Sequence, residues 1–342
     1  MLRCLDLAQK AKGFTYPNPM VGSVIVYNNK IIGEGYHRMA GQPHAEVNAI
    51  NSVTEPHLLK EATLYVNLEP CCHTGKTPPC SQLIISKKIP NVVIGTQDPH
   101  SKVAGKGIEQ LQSAGINVTV GILEKEAQEL NQRFFCFHQK KRPYIVLKWA
   151  ETADGYIAPK NRSEQAPVWI TGVNSRNLAH QWRAEEQSIL VGTQTVIDDN
   201  PLLTARNVQG DQPLRIVIDR ELKISPTANV FNSEAETLVV SQKIEDRYPK
   251  NVRLVTVDFS KPLAQQICNQ LYQQNIQSIL VEGGCKTLQT FIDENLWEEA
   301  RVFRGKKRFK EGVKAPNLEG KFVKKTSIGV DALFIYQNQA PC

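Results

Sequence analysis

The sequence predicts two α/β domains in series. Strand-sized apolar runs alternate with helix-spaced ones through both halves, and 342 residues suffice for two separate cores. Around Gln132 to Pro143 the character changes to aromatic and basic side chains, ending in Arg142-Pro143. The boundary is placed there, giving domains over 1–141 and 142–342.

In the first domain, Leu2 to Ala11 carries Leu2, Leu5 and Ala8 at helical spacing. Val21 to Tyr27 and Lys30 to Gly35 read as a hairpin closed by the turn pair Asn28-Asn29. Ala45 to Val53 is expected as a helix and Ala62 to Leu68 as a strand. Ser81 to Lys88 is a helix entered through Pro78-Pro79. Val92 to Gly95 and Val118 to Gly121 complete a sheet, an α/β sandwich of modest size. In the second domain, strands are expected at Tyr144 to Lys148, Ser188 to Val191, Arg215 to Asp219, Thr237 to Ser241 and Ser278 to Val281. Helices are expected at Ser175 to Ala184, Leu263 to Gln274 and Thr287 to Glu294. There is no internal repeat and no low-complexity tract.

Composition narrows the function classes. Hydrophobic residues at 41% and charged residues at 22% describe a globular, water-soluble chain. The opening Met-Leu-Arg-Cys-Leu-Asp mixes charge into its apolar positions, unlike a signal peptide. Apolar runs such as Val24-Ile25-Val26 and Ile145-Val146-Leu147 are too short to span a bilayer. A cytoplasmic protein without a membrane partner is expected. The net charge of +7 suits phosphate-bearing ligands. The cations are scattered apart from Lys140, Lys141 and Arg142 and a second group at Lys306, Lys307 and Arg308. Such short runs read as solvated faces, so nucleic acid is not an expected partner. Eight cysteines in such a chain do not predict a disulfide framework. Three of them, Cys71, Cys72 and Cys80, are crowded together.

That crowding is the first chemical signal. His44-Ala45-Glu46 opens a helix, and Pro70-Cys71 and Pro79-Cys80 follow downstream. One histidine and two thiolates make three protein ligands for zinc and leave the fourth position to water, the arrangement of a catalytic site. Cys80 starts a helix, where unpaired N–H groups and the dipole favour a thiolate. Glu46, two residues from His44, can take a proton from a water at the metal and later deliver it to a leaving amine. His-x-Glu with Pro-Cys-x-x-Cys is the zinc-deaminase pattern. Here the cysteines are nine positions apart, so Cys72 to Pro79 reads as an inserted loop placed to select substrate. The alternative is a closed structural site with Cys72 or His73 as fourth ligand. It leaves Glu46 without a role.

The run Pro17-Asn18-Pro19-Met20-Val21-Gly22, then Gly41-x-Pro43-His44-Ala45-Glu46, then the loop from Cys71 to Cys80 resembles the bifunctional riboflavin-biosynthesis deaminase–reductases. The resemblance implies a cytidine-deaminase-like α/β/α domain followed by a dihydrofolate-reductase-like α/β domain. It implies zinc on His44, Cys71 and Cys80, Glu46 as proton shuttle, and His73 and Lys76 as further substrate contacts.

On its own the second half is less explicit. Ser278 to Val281 runs through Glu282-Gly283-Gly284 into a helix, where glycines let backbone approach a phosphate and the helix N-terminus offers donors. There is no Gly-x-Gly-x-x-Gly. The resemblance continues through Arg142-Pro143-Tyr144, Leu147-Lys148-x-Ala150-x-x-x-Asp154-Gly155, Trp169-Ile170-Thr171, Arg183-Ala184, the stretch from Gly192 to Arg206, and Val281-Glu282-Gly283-Gly284. It implies that NADPH touches Ala150, Trp169, Thr195, Asp199 and the turn and helix start Gly284, Cys285, Lys286, Thr287, Leu288, Gln289 and Thr290. It implies that the substrate meets Arg183, Leu203, Arg206 and Glu282. The residue types agree: Arg183 and Arg206 can hold a phosphate by forked hydrogen bonds, and Trp169 offers a wall to a flat ring. Arg220, after the strand from Arg215 to Asp219, is positioned to meet a 2′-phosphate. Two positions depart from the family: Thr152-Ala153-Asp154-Gly155 stands for Ser-Leu-Asp-Gly, and Pro167 stands near a substrate-binding serine.

The expected chemistry is hydrolytic deamination of 2,5-diamino-6-ribosylamino-4(3H)-pyrimidinone 5′-phosphate, then NADPH-dependent reduction of its ribose. A nucleoside or nucleic-acid deaminase would call for aromatic side chains along a basic groove. Aromatics make up only 7% and none cluster at the zinc motif. A zinc-stabilised binding module would have no use for Glu46. The resemblance also implies a homodimer or larger assembly.

Overall fold

The structure, a computed structural model, describes residues 1–72, 78–101 and 103–339. The chain divides into two compact units, Met1–Lys140 and the residues from Lys141 onward. Among the described residues no helix is long and apolar enough to cross a membrane. Cys4, Cys71, Cys72, Cys80, Cys268 and Cys285 are free thiols, and Cys136 is disulfide-bonded.

In the first unit the order is α1 (Leu2–Gln9), β1 (Gly22–Tyr27), β2 (Lys30–Tyr36), α2 (Ala45–Asn51), β3 (Thr63–Leu68), α3 (Cys80–Ser86), β4 (Asn91–Thr96), α4 (Lys106–Ser113), β5 (Asn117–Val120), α5 (Glu124–Leu130) and α6 (Gln132–Lys140). Asn28 and Asn29 both take positive φ, the demand of the tight hairpin turn, and so join β1 to β2. The sheet runs β2-β1-β3-β4-β5, antiparallel through β1 and parallel from β3 to β5. Both faces are covered. Val24 packs with Cys4 and Leu7 of α1, while Ile25, Leu64, Val66 and Ile94 pack with Ala49 of α2, Ile84 of α3 and Leu111 of α4. Burial on both sides explains why these strands read as apolar runs rather than alternating ones. Helix α2 lies hard on β2 because Gly33 and Gly35 have no side chain. A Cβ at either would come within 2.6 Å of the Ala49 backbone.

The aromatic stretch read as a boundary is, up to Lys140, a helix of the first unit. Phe134, Phe135 and Phe137 of α6 are buried, and its neighbour Asn131 grips the Met20 backbone through N–H and C=O.

The second unit contains β6 (Tyr144–Glu151), β7 (Tyr156–Pro159), α7 (Val173–Glu185), β8 (Ser188–Gly192), α8 (Thr193–Asp199), β9 (Leu214–Ile218), β10 (Thr237–Ser241), β11 (Val252–Thr256), α9 (Leu263–Gln273), β12 (Ser278–Val281), α10 (Cys285–Asp293), β13 (Glu299–Arg304), β14 (Gly312–Lys314), β15 (Lys321–Ile328) and β16 (Asp331–Gln337). Nine strands form one sheet in the order β11-β10-β9-β8-β12-β6-β13-β16-β15. Seven run parallel, and β16 is antiparallel to both of its neighbours. One face is filled by Ile145, Leu147, Ile279 and Val281 against Ile267, Leu271, Leu288 and Phe291 of α9 and α10. The other carries Ile189, Val191, Val217 and Val239 against Val196, Leu203 and Phe231. At the entry to β6 the Arg142 guanidinium grips the Glu298 carboxylate, both buried, and Glu298 also accepts the Ile145 N–H at 2.9 Å. Strands β7, β11 and β13 to β16 and helix α8 are not foreseen in the sequence.

Candidate active sites

In the first unit the ends of three elements, α2, β3 and α3, build the site. His44 is the N-cap of α2, Glu46 lies in its first turn, and Cys71 follows β3 after Glu69-Pro70. Cys80 is the first residue of α3, after the two prolines that set the helix start. His44 Nδ1 lies 3.6 Å from Cys71 Sγ and 3.3 Å from Cys80 Sγ, and the ligand atoms of all three lie within 4.8 Å of one another. Donors on a tetrahedral zinc with bonds of 2.0–2.3 Å stand about 3.5–3.8 Å apart, so this triad fits the ion, and its nitrogen–sulfur set suits zinc.

The electrostatics point the same way. The Cys80 side chain and its backbone N–H (3.3 Å) donate to Cys71 Sγ, and with His44 they lower the Cys71 thiol to about 4. Cys80 is correspondingly raised, as donor beside an existing thiolate and by its burial. His44 is raised by its hydrogen bond to Cys71. Glu46 is 3% exposed, and burial together with Cys71 pushes its carboxyl up to about 7. A carboxyl poised there holds and releases protons near neutral pH.

Two residues the sequence reading passed over, His37 and Glu69, support the triad. His37 packs edge-on against the His44 ring at 5.3 Å. Its Nδ1 faces the Pro43 carbonyl at 3.2 Å and its Nε2 the Asn18 amide at 3.0 Å. An N–H on Nδ1 and a bare Nε2 satisfy both contacts. The Glu69 carboxylate, 4% exposed, accepts the N–H groups of Asp98, Gly105, Gly107 and Ile108 at 2.9–3.2 Å. These contacts tie the chain just before Cys71 to the start of α4. A histidine in Tyr36-His37-Arg38 and a glutamate before a Pro-Cys ligand were the available signals. His73 and Lys76 lie outside the described residues.

In the second unit the carboxyl ends of β8, β12 and β6 meet, the usual ligand edge of a parallel sheet. Gly284 caps α10, and its N–H donates to Thr195 Oγ1 at 3.0 Å. A Cβ on Gly192 would come within 2.5 Å of Thr287 Oγ1, and one on Gly283 within 2.7 Å of Gly192 N and Val191 Cα. Thr195, Gly284 and Thr287 are therefore brought together, with half-buried Cys285 in the same turn. Leu288 is not available to a ligand through its side chain. It is 1% exposed and packs in the core. Gln289 bonds Asp293 and Asn317, and Thr290 bonds the Lys286 carbonyl, so both are engaged within or beside the helix.

The remaining expected contacts are distributed as follows. Ala150 lies near the end of β6, half-buried. Trp169 is 49% exposed, with the Arg176 guanidinium 4.4 Å above its ring and Lys307 Nζ on its carbonyl. Asp199 ends α8, where burial raises its pKa against the pull of Arg162 at 2.5 Å. Arg220 is exposed and bonds Gln242 at 2.8 Å and Glu221 at 3.4 Å. Pro167 is exposed.

Arg183 departs from the expectation of a free phosphate fork. Its Nε and Nη2 donate to Glu282 at 2.9 and 2.8 Å, and its Nη1 donates to the Thr204 carbonyl. Lys148 Nζ reaches the same carboxylate at 3.3 Å. Burial opposes the Glu282 charge, but Arg183 and Lys148 prevail and hold the carboxyl well below its ordinary range. The lysine inside the apolar strand β6, Lys148, is the missed signal. Leu203 is buried at 3% with φ of 55°, and Arg206 beside it is exposed.

Comparison with known proteins finds family matches for both units. Residues 1–96 match the cytidine and deoxycytidylate deaminase zinc-binding region, and residues 143–307 match the RibD C-terminal domain. The chain is 44% identical over 322 residues to the riboflavin biosynthesis protein RibD of Aquifex aeolicus, covering 93% of this chain and 89% of the relative. It is 37% identical over 319 residues to RibD of Escherichia coli, covering 89% and 86%. A crystal structure from Thermotoga maritima, a diaminohydroxyphosphoribosylaminopyrimidine deaminase/5-amino-6-(5-phosphoribosylamino)uracil reductase, superposes with a TM-score of 0.90 at 37% identity, covering 100% of this chain and 97% of that one. The α/β fold, a deaminase-like domain followed by a dihydrofolate-reductase-like one, agrees with these relatives. The chain belongs to the RibD family, bifunctional enzymes of riboflavin biosynthesis that join a zinc-binding deaminase to a reductase.

Proposed function

We propose that the first unit deaminates 2,5-diamino-6-ribosylamino-4(3H)-pyrimidinone 5′-phosphate and the second reduces the ribose of the product with NADPH, giving 5-amino-6-ribitylamino-uracil 5′-phosphate. The observation that carries the first step is the meeting of His44, Cys71 and Cys80 beside the buried Glu46. When bound, zinc supplies Lewis acidity to a water, and NADPH supplies reducing equivalents. Glu46 takes the proton from the attacking water and passes it to the departing amino group, which leaves as ammonia. His37 and Glu69 keep the ligands in register through His44 and Cys71.

For the reductase, Thr195, Gly284 and Thr287, which meet at one sheet end, would hold the cofactor together with Ala150, Trp169 and Asp199, and Arg220 would supply a cation for its 2′-phosphate. Only the backbone of Leu288 can contribute. Arg206, Leu203 and the Glu282–Arg183–Lys148 group meet the substrate. Arg183 acts there through Glu282, which it holds ionised. Scattered cations and few aromatics support a small-molecule substrate rather than nucleic acid. The working state we infer is a cytoplasmic homodimer or larger assembly, as the family resemblance implies.

The test is incubation of zinc-loaded protein with the diaminopyrimidine ribosyl phosphate, followed by mass spectrometry. Without NADPH the product should show amine-to-oxygen exchange only. With NADPH it should also gain two hydrogens. No conversion by a zinc-loaded sample contradicts the assignment.

A further inference from the structure

Arg176, His180 and Arg183 of α7 recur at i, i+4 and i+7 and so share one face of the helix. Arg176 covers the Trp169 ring and Arg183 grips Glu282. His180, between them, has no role in the reading above. Its Nδ1 lies 3.1 Å from the Thr204 carbonyl oxygen and 3.3 Å from the Arg206 backbone nitrogen. One ring nitrogen cannot donate to the first and accept from the second at once. The Thr204 carbonyl already receives Arg183 Nη1 at 3.3 Å. The Arg206 N–H therefore has first claim on a bare Nδ1. Burial and the nearby Arg183 and Arg206 cations, which keep the imidazole neutral, agree with that choice.

The segment needs such anchors. Between α8 and β9 the chain has no regular structure, and Leu203 sits at φ of 55°, a region an L side chain occupies at a cost. Residues 204–206 are fixed by side chains instead. Gln212 Oε1 accepts the Ala205 N–H at 2.8 Å and Gln212 Nε2 donates to the Ala205 carbonyl at 3.0 Å, Arg183 holds Thr204, and His180 holds Arg206.

We propose that His180 is a positioning residue of the reductase: its imidazole accepts the Arg206 N–H and so fixes Leu203 and Arg206 where they meet the substrate. This rests on the reading that Leu203 and Arg206 contact the substrate. The site is set before substrate arrives, which lowers the ordering cost of binding.

The experiment uses the full chain and varies the concentration of the deaminated substrate at saturating NADPH. His180→Ala, His180→Asn and Arg206→Ala are compared with wild type, and NADPH affinity, read by fluorescence, reports that the reductase unit is folded. Loss of one positioning hydrogen bond worth about 1.4 kcal/mol raises KM about tenfold for His180→Ala, with kcat within about twofold. His180→Asn, whose Oδ1 can accept the same N–H, recovers most of that loss. If Arg206→Ala raises KM but His180→Ala does not, the proposal is overturned while the substrate reading stands. If Arg206→Ala leaves KM unchanged, the substrate reading itself fails. A fall confined to kcat in His180→Ala, or no recovery in His180→Asn with NADPH affinity intact, also overturns the proposal.

Discussion

Replacing Glu69 by glutamine tests whether the metal loop is held by one carboxylate. Oε1 receives the Gly107 and Ile108 N–H groups at 2.9 and 3.2 Å, and Oε2 receives those of Asp98 and Gly105 at 3.1 and 3.0 Å. An amide has nearly the same shape, but one of its arms is a donor. Whichever way Glu69→Gln turns, that arm faces two N–H groups, so two charge-assisted bonds are lost. At about 1.5 kcal/mol each, the cost is about 3 kcal/mol. For a unit of this size that lowers its melting temperature by about 10 °C. Differential scanning calorimetry of the zinc-loaded chain can read this. The transition belonging to the deaminase unit is identified by its shift on chelation, and only that transition should move. A Glu69→Gln protein whose deaminase transition stays within about 1 °C of wild type would refute the account of the carboxylate as the anchor of the loop.

Further expectations follow from the same geometry. Cys80→Ser should lose most of its zinc by atomic absorption and lose deamination, while reduction of pre-deaminated substrate continues. Glu282 is held below its ordinary 4.5 by Arg183 and Lys148, despite burial. Its contribution to stability is therefore complete above that pH and is lost as pH falls through the folded value. Acid titration of the reductase unit, followed by circular dichroism, should show an unfolding limb below pH 4.5 that Glu282→Gln flattens. Cys268, pushed up to about 12 by burial, should resist iodoacetamide in the native protein, whereas half-buried Cys285 at the start of α10 should react and be protected by NADPH. Peptide mapping distinguishes the two thiols, and alkylation of Cys285 at an unchanged rate with NADPH bound would count against the cofactor cradle.

Most of the deaminase unit was legible in the sequence because its signals are local. Asn28-Asn29 announces a hairpin, two prolines announce a helix start, and His44-x-Glu46 keeps ligand and acid on one turn. What escaped was carried by long-range contacts. Glu69 precedes a ligand, but its partners are 29 to 39 residues away. His37 looks like any loop histidine until Pro43 and Asn18 close on it. In the reductase, β13 was missed because Arg301 faces inward onto the Trp182 ring and Glu186, so a buried strand carries the charges of a surface one. Strand β15 was missed for the opposite reason. It is an edge strand exposed along nearly its whole length, so no alternation marks it. The change of character from Gln132 to Pro143 marks the boundary, but its first part, up to Lys140, is a helix of the first unit, because Phe134, Phe135 and Phe137 are buried. Arg183 was expected to hold a phosphate, since sequence gives its type but not the carboxylate already in its fork.

The central claim, that Glu46 moves the proton at a zinc site held by His44, Cys71 and Cys80, is tested most directly with Glu46→Gln. Zinc content and products should be measured on the same preparation, with the diaminopyrimidine substrate and NADPH both present. The account predicts zinc bound as in wild type and deamination slowed by roughly 10²–10⁴-fold, while pre-deaminated substrate is still reduced. Deamination at the wild-type rate by a zinc-loaded Glu46→Gln enzyme would contradict it.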